Sequence, residues 1–202
     1  MKKNDWSEQD NPNCIALLDP DTGRLRCTRS YGEWHVRSKK THSFDGIAKA
    51  VVEDIGRCLF GQSPWPLVLI GQAGTGKTCA ALCVLDRVGG TYQELRDLAD
   101  LVNRARTGEL YYEGANGRRV YPQDVWDSWE RSNVTVLDEI AIRTPTDAQY
   151  ETIKRALDLR EEKPSIVICN IALDQLFEAY DDRIVSRLSA GTIVNMPKKD
   201  RR

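Results

Sequence analysis

The stretch Gly71-Gln72-Ala73-Gly74-Thr75-Gly76-Lys77-Thr78 fits the spacing G-x-x-x-x-G-K-[ST] at every fixed position. The residue types suit one kind of chemistry. Glycines let backbone N–H groups close on phosphate oxygens, and a helix starting there adds a dipole that favours negative charge. On this reading Gly71, Gly74, Thr75 and Gly76 build the cradle, and Lys77 reaches the β- and γ-phosphates. The Thr78 hydroxyl is then a ligand for Mg2+. Farther along, Asp138-Glu139 directly follow the apolar run Val134-Thr135-Val136-Leu137. Acids at the end of a buried strand, downstream of such a loop, suit an Asp that holds Mg2+ and a Glu that polarises the attacking water. The expected ligands are therefore ATP and Mg2+. A glycine-rich turn that binds nothing has no need of all these positions together.

These residues need elements to hold them in place. Leu67-Val68-Leu69-Ile70 reads as a buried strand before the loop, and Cys79 to Leu85 as a helix after it. Pro164 opens a further strand, Ser165-Ile166-Val167-Ile168-Cys169, which ends in Asn170. A polar residue at that tip would stand beside the γ-phosphate and orient water. Shorter strands are expected at Thr91-Tyr92-Gln93 and at 191–196. Helical spacing predicts helices from Phe44 (capped by Ser43, with Ile47, Val51, Ile55 and Leu59 on one face), over 95–106, 122–131, 147–162 and 173–180. Strands alternating with helices predict an α/β fold with a mostly parallel sheet covered on both faces.

The first quarter of the chain is different. Cys14 to Leu18 and Arg24 to Thr28 flank Asp19-Pro20-Asp21-Thr22-Gly23, which carries the chemistry of a hairpin turn. Tyr31 to Lys40 mixes aromatic and basic residues, a composition suited to single-stranded bases, to a partner protein or simply to closing a small β-appendage. A second hairpin candidate spans 110–121, where Tyr111, Tyr112 and Tyr121 accompany Arg118 and Arg119 around Asn116-Gly117. That segment reads either as a substrate-contact surface or as a solvated loop.

At 202 residues and a net charge of -1, the chain suits one nucleotide-binding domain with a short appendage and carries no global field for nucleic acid. The polar start is unlike a signal peptide, and no apolar run reaches membrane-spanning length, so a cytoplasmic location is expected. Cys58, Cys79, Cys83 and Cys169 fall in apolar patterns and are expected to be buried small hydrophobes. Cys14, Cys27, His35 and His42 could bind zinc, although they lack a close C-x2-4-C pair; ordinary packing is the other reading.

Taken together, GQAGTGKT (71–78), VTVLDE (134–139), SIVICN (165–170) and DDRIVSRLSAG (181–191) resemble the AAA+ ATPases of the DnaC/IstB group. That group contains loaders of the replicative helicase and helper ATPases of certain transposons. The resemblance covers roughly residues 44–202 and implies an AAA+ P-loop core without a C-terminal helical lid. Residues 1–43 would then form a partner-binding appendage that matches no N-terminal domain of the group. It further implies that Asp138 holds Mg2+, Glu139 is the catalytic acid and Asn170 senses the γ-phosphate. Arg187 would be an arginine finger lent to a neighbouring subunit, with Arg183 supporting it; a plainer role for both is pairing with Asp181 and Asp182. The implied activity is ATP hydrolysis in a homo-oligomer on DNA, single-stranded by preference and without base specificity. The implied partner is a replicative helicase or, alternatively, a transposase. A small P-loop phosphotransferase fits less well, because no acceptor pocket or lid stands out.

Overall fold

The computed structural model describes residues 16–18, 25–27, 42–111, 119–140 and 145–197. Cys14, His35, Tyr112, Arg118 and the basic tail 198–202 lie outside these described residues. Strands β1 (Ala16–Leu18) and β2 (Leu25–Cys27) pair antiparallel, Ala16 opposite Cys27, as the turn chemistry between them predicts. The core follows in alternation: α1 (Lys49–Leu59), β3 (Leu67–Ile70), α2 (Lys77–Val88), β4 (Thr91–Glu94), α3 (Leu95–Thr107) and α4 (Pro122–Arg131). It continues with β5 (Thr135–Asp138), α5 (Asp147–Asp158), β6 (Ser165–Cys169), α6 (Leu173–Ala179), α7 (Asp182–Ser189) and β7 (Thr192–Asn195).

Five strands form one sheet in the order β4-β5-β6-β3-β7, and every pairing within it is parallel. The central strands β3, β5 and β6 are buried at every residue, as a sheet covered on both faces requires. Residues on one face pack beneath α1 and α2, among them Leu67, Leu69, Val136, Ile166 and Ile168. Their alternates, Val68, Ile70, Leu137, Val167 and Cys169, pack beneath α3, α4, α5 and α7. The period-2 alternation of each strand thus feeds two separate cores. Order β4-β5-β6-β3-β7 also puts the C-terminal ends of β3, β5 and β6 side by side, which is where the phosphate loop, Asp138 and Asn170 emerge.

Several boundaries differ from the expected ones. The first helix begins at Lys49, not Phe44, and Ser43 caps a turn instead, its Oγ accepting the Asp45 N–H at 3.1 Å. Gly46 at φ 76° breaks the helical path there, so Ile47 belongs to the turn and packs against the α1–α2 core from outside the helix. Helix α5 stops at Asp158, four residues short of the expected end, because the chain tightens there into three-residue turns. The Arg160 N–H bonds to the Leu157 carbonyl and the Lys163 N–H to the Arg160 carbonyl, and Glu162 takes a left-handed φ of 56° within these turns. The expected short strand at 91–93 extends to Glu94, and the only β-contact of the second hairpin candidate within the described residues is a single bridge between Tyr111 and Arg119. Among the described residues no helix is long and apolar enough to cross a membrane.

A buried arginine closes the lower end of the sheet. Arg160, just past α5, donates to the carbonyls of Glu130 (2.8 Å), Ser132 (2.9 Å), Asn133 (3.2 Å) and Pro164. It thereby satisfies carbonyls at the end of α4 and in the segments entering β5 and β6, those of the buried residues Ser132 and Asn133 among them. Cys58, Cys83 and Cys169 are buried as expected, whereas Cys79, on the outer side of the first turn of α2, is half-buried. Burial pushes the thiols of Cys83 and Cys169 up to about 12. His42 is held by Asp86, with Nδ1 3.0 Å and its backbone N–H 2.7 Å from the same carboxylate oxygen. Among the described residues no three potential ligands gather into a metal site.

Candidate nucleotide and metal site

Strand β3 ends at Ile70 and α2 begins at Lys77, so the glycine stretch spans the gap between them. Two of its glycines are required by their surroundings. A Cβ on Gly71 would sit 2.9 Å from the Met196 carbonyl, and one on Gly76 would meet the Ile47 Cδ1 at 2.9 Å. Gly76 also adopts φ 94° as the N-cap of α2, a conformation that side chains resist. Gly74 faces open space, with nothing within 4 Å of where a Cβ would lie. Thr75 is buried and donates its hydroxyl to the Gln72 carbonyl at 2.9 Å, which pins the loop across its own width.

Lys77 folds back into this loop. Its Nζ donates to the Gly71 carbonyl at 2.6 Å and the Gln72 carbonyl at 2.8 Å, with the Thr75 hydroxyl at 3.4 Å. Burial lowers the Lys77 ammonium below the ordinary lysine value, and the nearby Asp138 carboxylate pulls it partly back. A cation held by carbonyl dipoles at the mouth of a helix N-terminus is suited to an anion.

Thr78 opens toward the neighbouring strand. Its hydroxyl donates to Asp138 Oδ2 at 2.8 Å, joining the first turn of α2 to the end of β5. Asp138 is buried, and its other oxygen, Oδ1, accepts the Glu139 N–H at 2.7 Å. A hydroxyl and a carboxylate in contact form a hard oxygen donor set, the kind that suits Mg2+. Mg2+ held there with a nucleotide would supply positive charge for the phosphate oxygens. The same Oδ2 also accepts the Tyr92 hydroxyl, at 2.8 Å, a contact that the sequence did not suggest.

Glu139 takes a left-handed φ of 60°, rare for a side-chain-bearing residue and common where function sets the geometry. It lines a cavity of about 580 Å3 between the first turns of α3 and α5, shared with Glu94, Asp97, Asp100 and Gln149. The cavity opens Glu139 to solvent; residues 71–78 of the phosphate loop do not line it. Asn170 follows Cys169 at the tip of β6, between β3 and β5, with the Cys169 carbonyl accepting the Gly71 N–H at 3.3 Å. Gly71 to Thr78, Asp138, Glu139 and Asn170 therefore share one rim of the sheet.

Arg183 and Arg187 do not join them. Both lie on α7, which packs on the face opposite α2. Arg187 pairs with Asp158 on α5 at 2.5 Å, not with Asp181 or Asp182, and its Nη1 donates to the Arg183 carbonyl at 3.1 Å. Its Nε is buried without an acceptor among the described residues. Asp181 instead caps α7, accepting the Ile184 N–H at 3.2 Å and the Tyr150 hydroxyl. Arg183 is exposed.

No protein-family model matches the chain, and no curated protein sequence does. Solved structures do match. The crystal structure of DnaI aligns at a TM-score of 0.58 with 14% identity, over 85% of this chain and 97% of that one. The DnaC helicase loader aligns at 0.52 with 20% identity, over 65% of this chain and 77% of that one. AMPPCP-bound DnaA from Aquifex aeolicus aligns at 0.54 with 17% identity, over 68% of this chain and 42% of that one. The chain shares its fold with these DnaI, DnaC and DnaA structures. This chain spans less than half of the DnaA chain and nearly all of the DnaI chain. A further DnaA structure, at a TM-score of 0.59 and 17% identity, holds AMPPCP and single-stranded DNA.

Proposed function

We propose that this chain binds ATP with Mg2+, hydrolyses it between subunits of a homo-oligomer assembled on DNA, and acts as a loader of a replicative helicase. The observation that carries the reading is the Thr78–Asp138 hydrogen bond, which brings the glycine-loop helix and the acidic strand end into one oxygen site. Lys77 and the loop N–H groups would hold the phosphates, Thr78 and Asp138 the Mg2+, and Glu139 would activate water from the adjoining cavity. Asn170 stands where it could report the γ-phosphate. Arg187 would complete the neighbour's site, since a guanidinium neutralises charge developing on the transferred phosphoryl oxygens.

A surface for single-stranded DNA is supported by the second hairpin candidate, 110–121, whose sequence reads as a substrate-contact surface or a solvated loop. Tyr111 and Tyr121 are 59% and 54% exposed, unusually open for large side chains. Arg119 lies between them, bridged to Tyr111 along the backbone and 5.4 Å from the Tyr121 ring centroid. Exposed rings with a guanidinium beside them stack on bases without reading their sequence. The loader reading, as against a transposition helper, is favoured by the near-complete match in length to DnaI.

The reading is tested with purified protein, ATP, fluorescent single-stranded DNA, and a replicative helicase or a transposase as bait. It predicts ATP-dependent DNA binding, loss of turnover in Thr78→Ala, and retention of the helicase. Retention of the transposase alone would transfer the assignment to the transposition helpers. Absence of any ATP binding would overturn both.

A further inference from the structure

We propose that Tyr92 is a positioning residue for the metal-facing carboxylate of Asp138, an inference that rests on the Mg2+–nucleotide reading above. Tyr92 lies on β4 opposite Val136 of β5, and Asp138 is two residues farther along β5. Side chains repeat every second residue along a strand, so Tyr92, Val136 and Asp138 face the same side of the sheet. A diagonal neighbour at that offset is within reach of an aromatic side chain. The ring of Tyr92 is buried in the core beneath α1 and α2, and its hydroxyl emerges at the rim to meet Asp138 Oδ2 at 2.8 Å.

The three donors divide the carboxylate between them. Oδ2 accepts from both Tyr92 and Thr78, and Oδ1 accepts from the Glu139 N–H. Each carboxylate oxygen offers two lone pairs, so these bonds commit both on Oδ2 and one on Oδ1. Because Thr78 gives its proton to Asp138, its own oxygen lone pairs stay available to a cation. The Tyr92 bond fills the remaining direction on Oδ2 and keeps the carboxylate from rotating away. Groups that orient a metal-binding carboxylate in this way commonly set the metal affinity.

Tyr92→Phe keeps the ring and removes only the hydroxyl, so the core beneath α2 stays filled. The experiment measures equilibrium binding of a fluorescent, non-hydrolysable ATP analogue against Mg2+ concentration and, separately, in EDTA. Manganese binding to the protein–ADP complex, followed by electron paramagnetic resonance, provides a second readout that is independent of turnover. The variant is expected to need about tenfold more Mg2+ for half-maximal binding, with Mn2+ affinity falling by a similar factor. Its affinity in EDTA and its melting temperature stay close to wild type. An unchanged Mg2+ midpoint, or an equal loss of affinity in EDTA, overturns the positioning role, the second result showing mere support of the loop. A wild-type protein whose nucleotide binding ignores Mg2+ overturns the underlying site reading instead.

Discussion

Replacing Arg187 by Ala separates two roles that differ greatly in size. In the isolated subunit Arg187 makes a 2.5 Å ion pair with Asp158, with 31% and 42% of the two side chains exposed. Pairs this open to solvent contribute less than about 1 kcal/mol. For a domain of this size that corresponds to a melting shift of roughly 2–4 °C. If Arg187 instead completes a neighbour's site, its loss lowers turnover by about 10^3 or more, equivalent to roughly 4 kcal/mol of transition-state stabilisation. The variant is therefore expected to melt nearly as wild type, bind ATP nearly as well and turn it over hardly at all. Mixing then decides where the arginine acts. Lys77→Ala protein, inactive for lack of its own phosphate loop, still carries Arg187, and Arg187→Ala protein still carries Lys77. In an equal mixture about a quarter of head-to-tail interfaces unite an intact pocket with an intact finger, so turnover returns to about a quarter of wild type. Arg187→Ala protein that keeps its turnover, or a mixture that stays inactive, would refute the reasoning.

Other perturbations follow from the same geometry. Glu139→Gln should retain ATP binding and lose hydrolysis, so that ATP drives a stable oligomer on a sizing column; normal turnover would place the base elsewhere. Arg160→Met should cost more than about 3 kcal/mol in urea unfolding, since several buried carbonyls lose their donor together; a loss under 1 kcal/mol would mean that water replaces the guanidinium. The Tyr150 hydroxyl and the Ile184 N–H hold the Asp181 carboxyl below its ordinary 3.8. Its contribution to α7 is therefore complete above that value and lost as pH falls through the lowered one. Asp181→Asn should flatten this acid limb of the stability profile, and an unaltered limb would dismiss the cap as its source. At neutral pH alkylation should mark Cys79 before Cys83 or Cys169, as peptide mapping would detect, because burial keeps the latter two protonated.

What could be read from sequence was the chemistry written in local order. The glycine loop, the acidic strand end and Asn170 each sit at a strand tip, and a strand followed by its tip is legible within a few residues. The structure brings these together on one rim, as the alternation of strands and helices implied. The misplaced start of α1 came from following Ile47 on its four-residue period, while Gly46, three residues before the first residue of α1, interrupts the helical path. Tyr92 was missed for a different reason. Its value depends on β4 lying beside β5 in the register that sets Tyr92 against Val136, and no periodicity in the chain reports register between strands. The Arg187–Asp158 pair was likewise hidden, since it depends on α5 and α7 packing side by side on one face of the sheet.

The two faces of the sheet divide the proposed reaction between them. Lys77 and Thr78 ride on α2 over one core, whereas Arg187 rides on α7 over the other, tied to α5. A subunit built this way has a nucleotide pocket and an arginine that face different surroundings, so a contact uniting them joins unlike surfaces. Such contacts are heterologous, and repeating them produces a ring or a helical filament, not a two-fold dimer. The resting pose of Arg187 fits that requirement. Its pair with Asp158 is partly open to solvent, so on the proposed reading a phosphate on the next subunit would have to displace that pair and the bond to the Arg183 carbonyl. On that reading Asp158 would hold the guanidinium in the free subunit. Removing the carboxylate in Asp158→Asn should ease release, raising turnover at low protein concentration where assembly limits the rate. At saturating protein the rates should converge, because the finger is then already engaged; a variant slower at every concentration would mean that Asp158 aims Arg187 instead of restraining it.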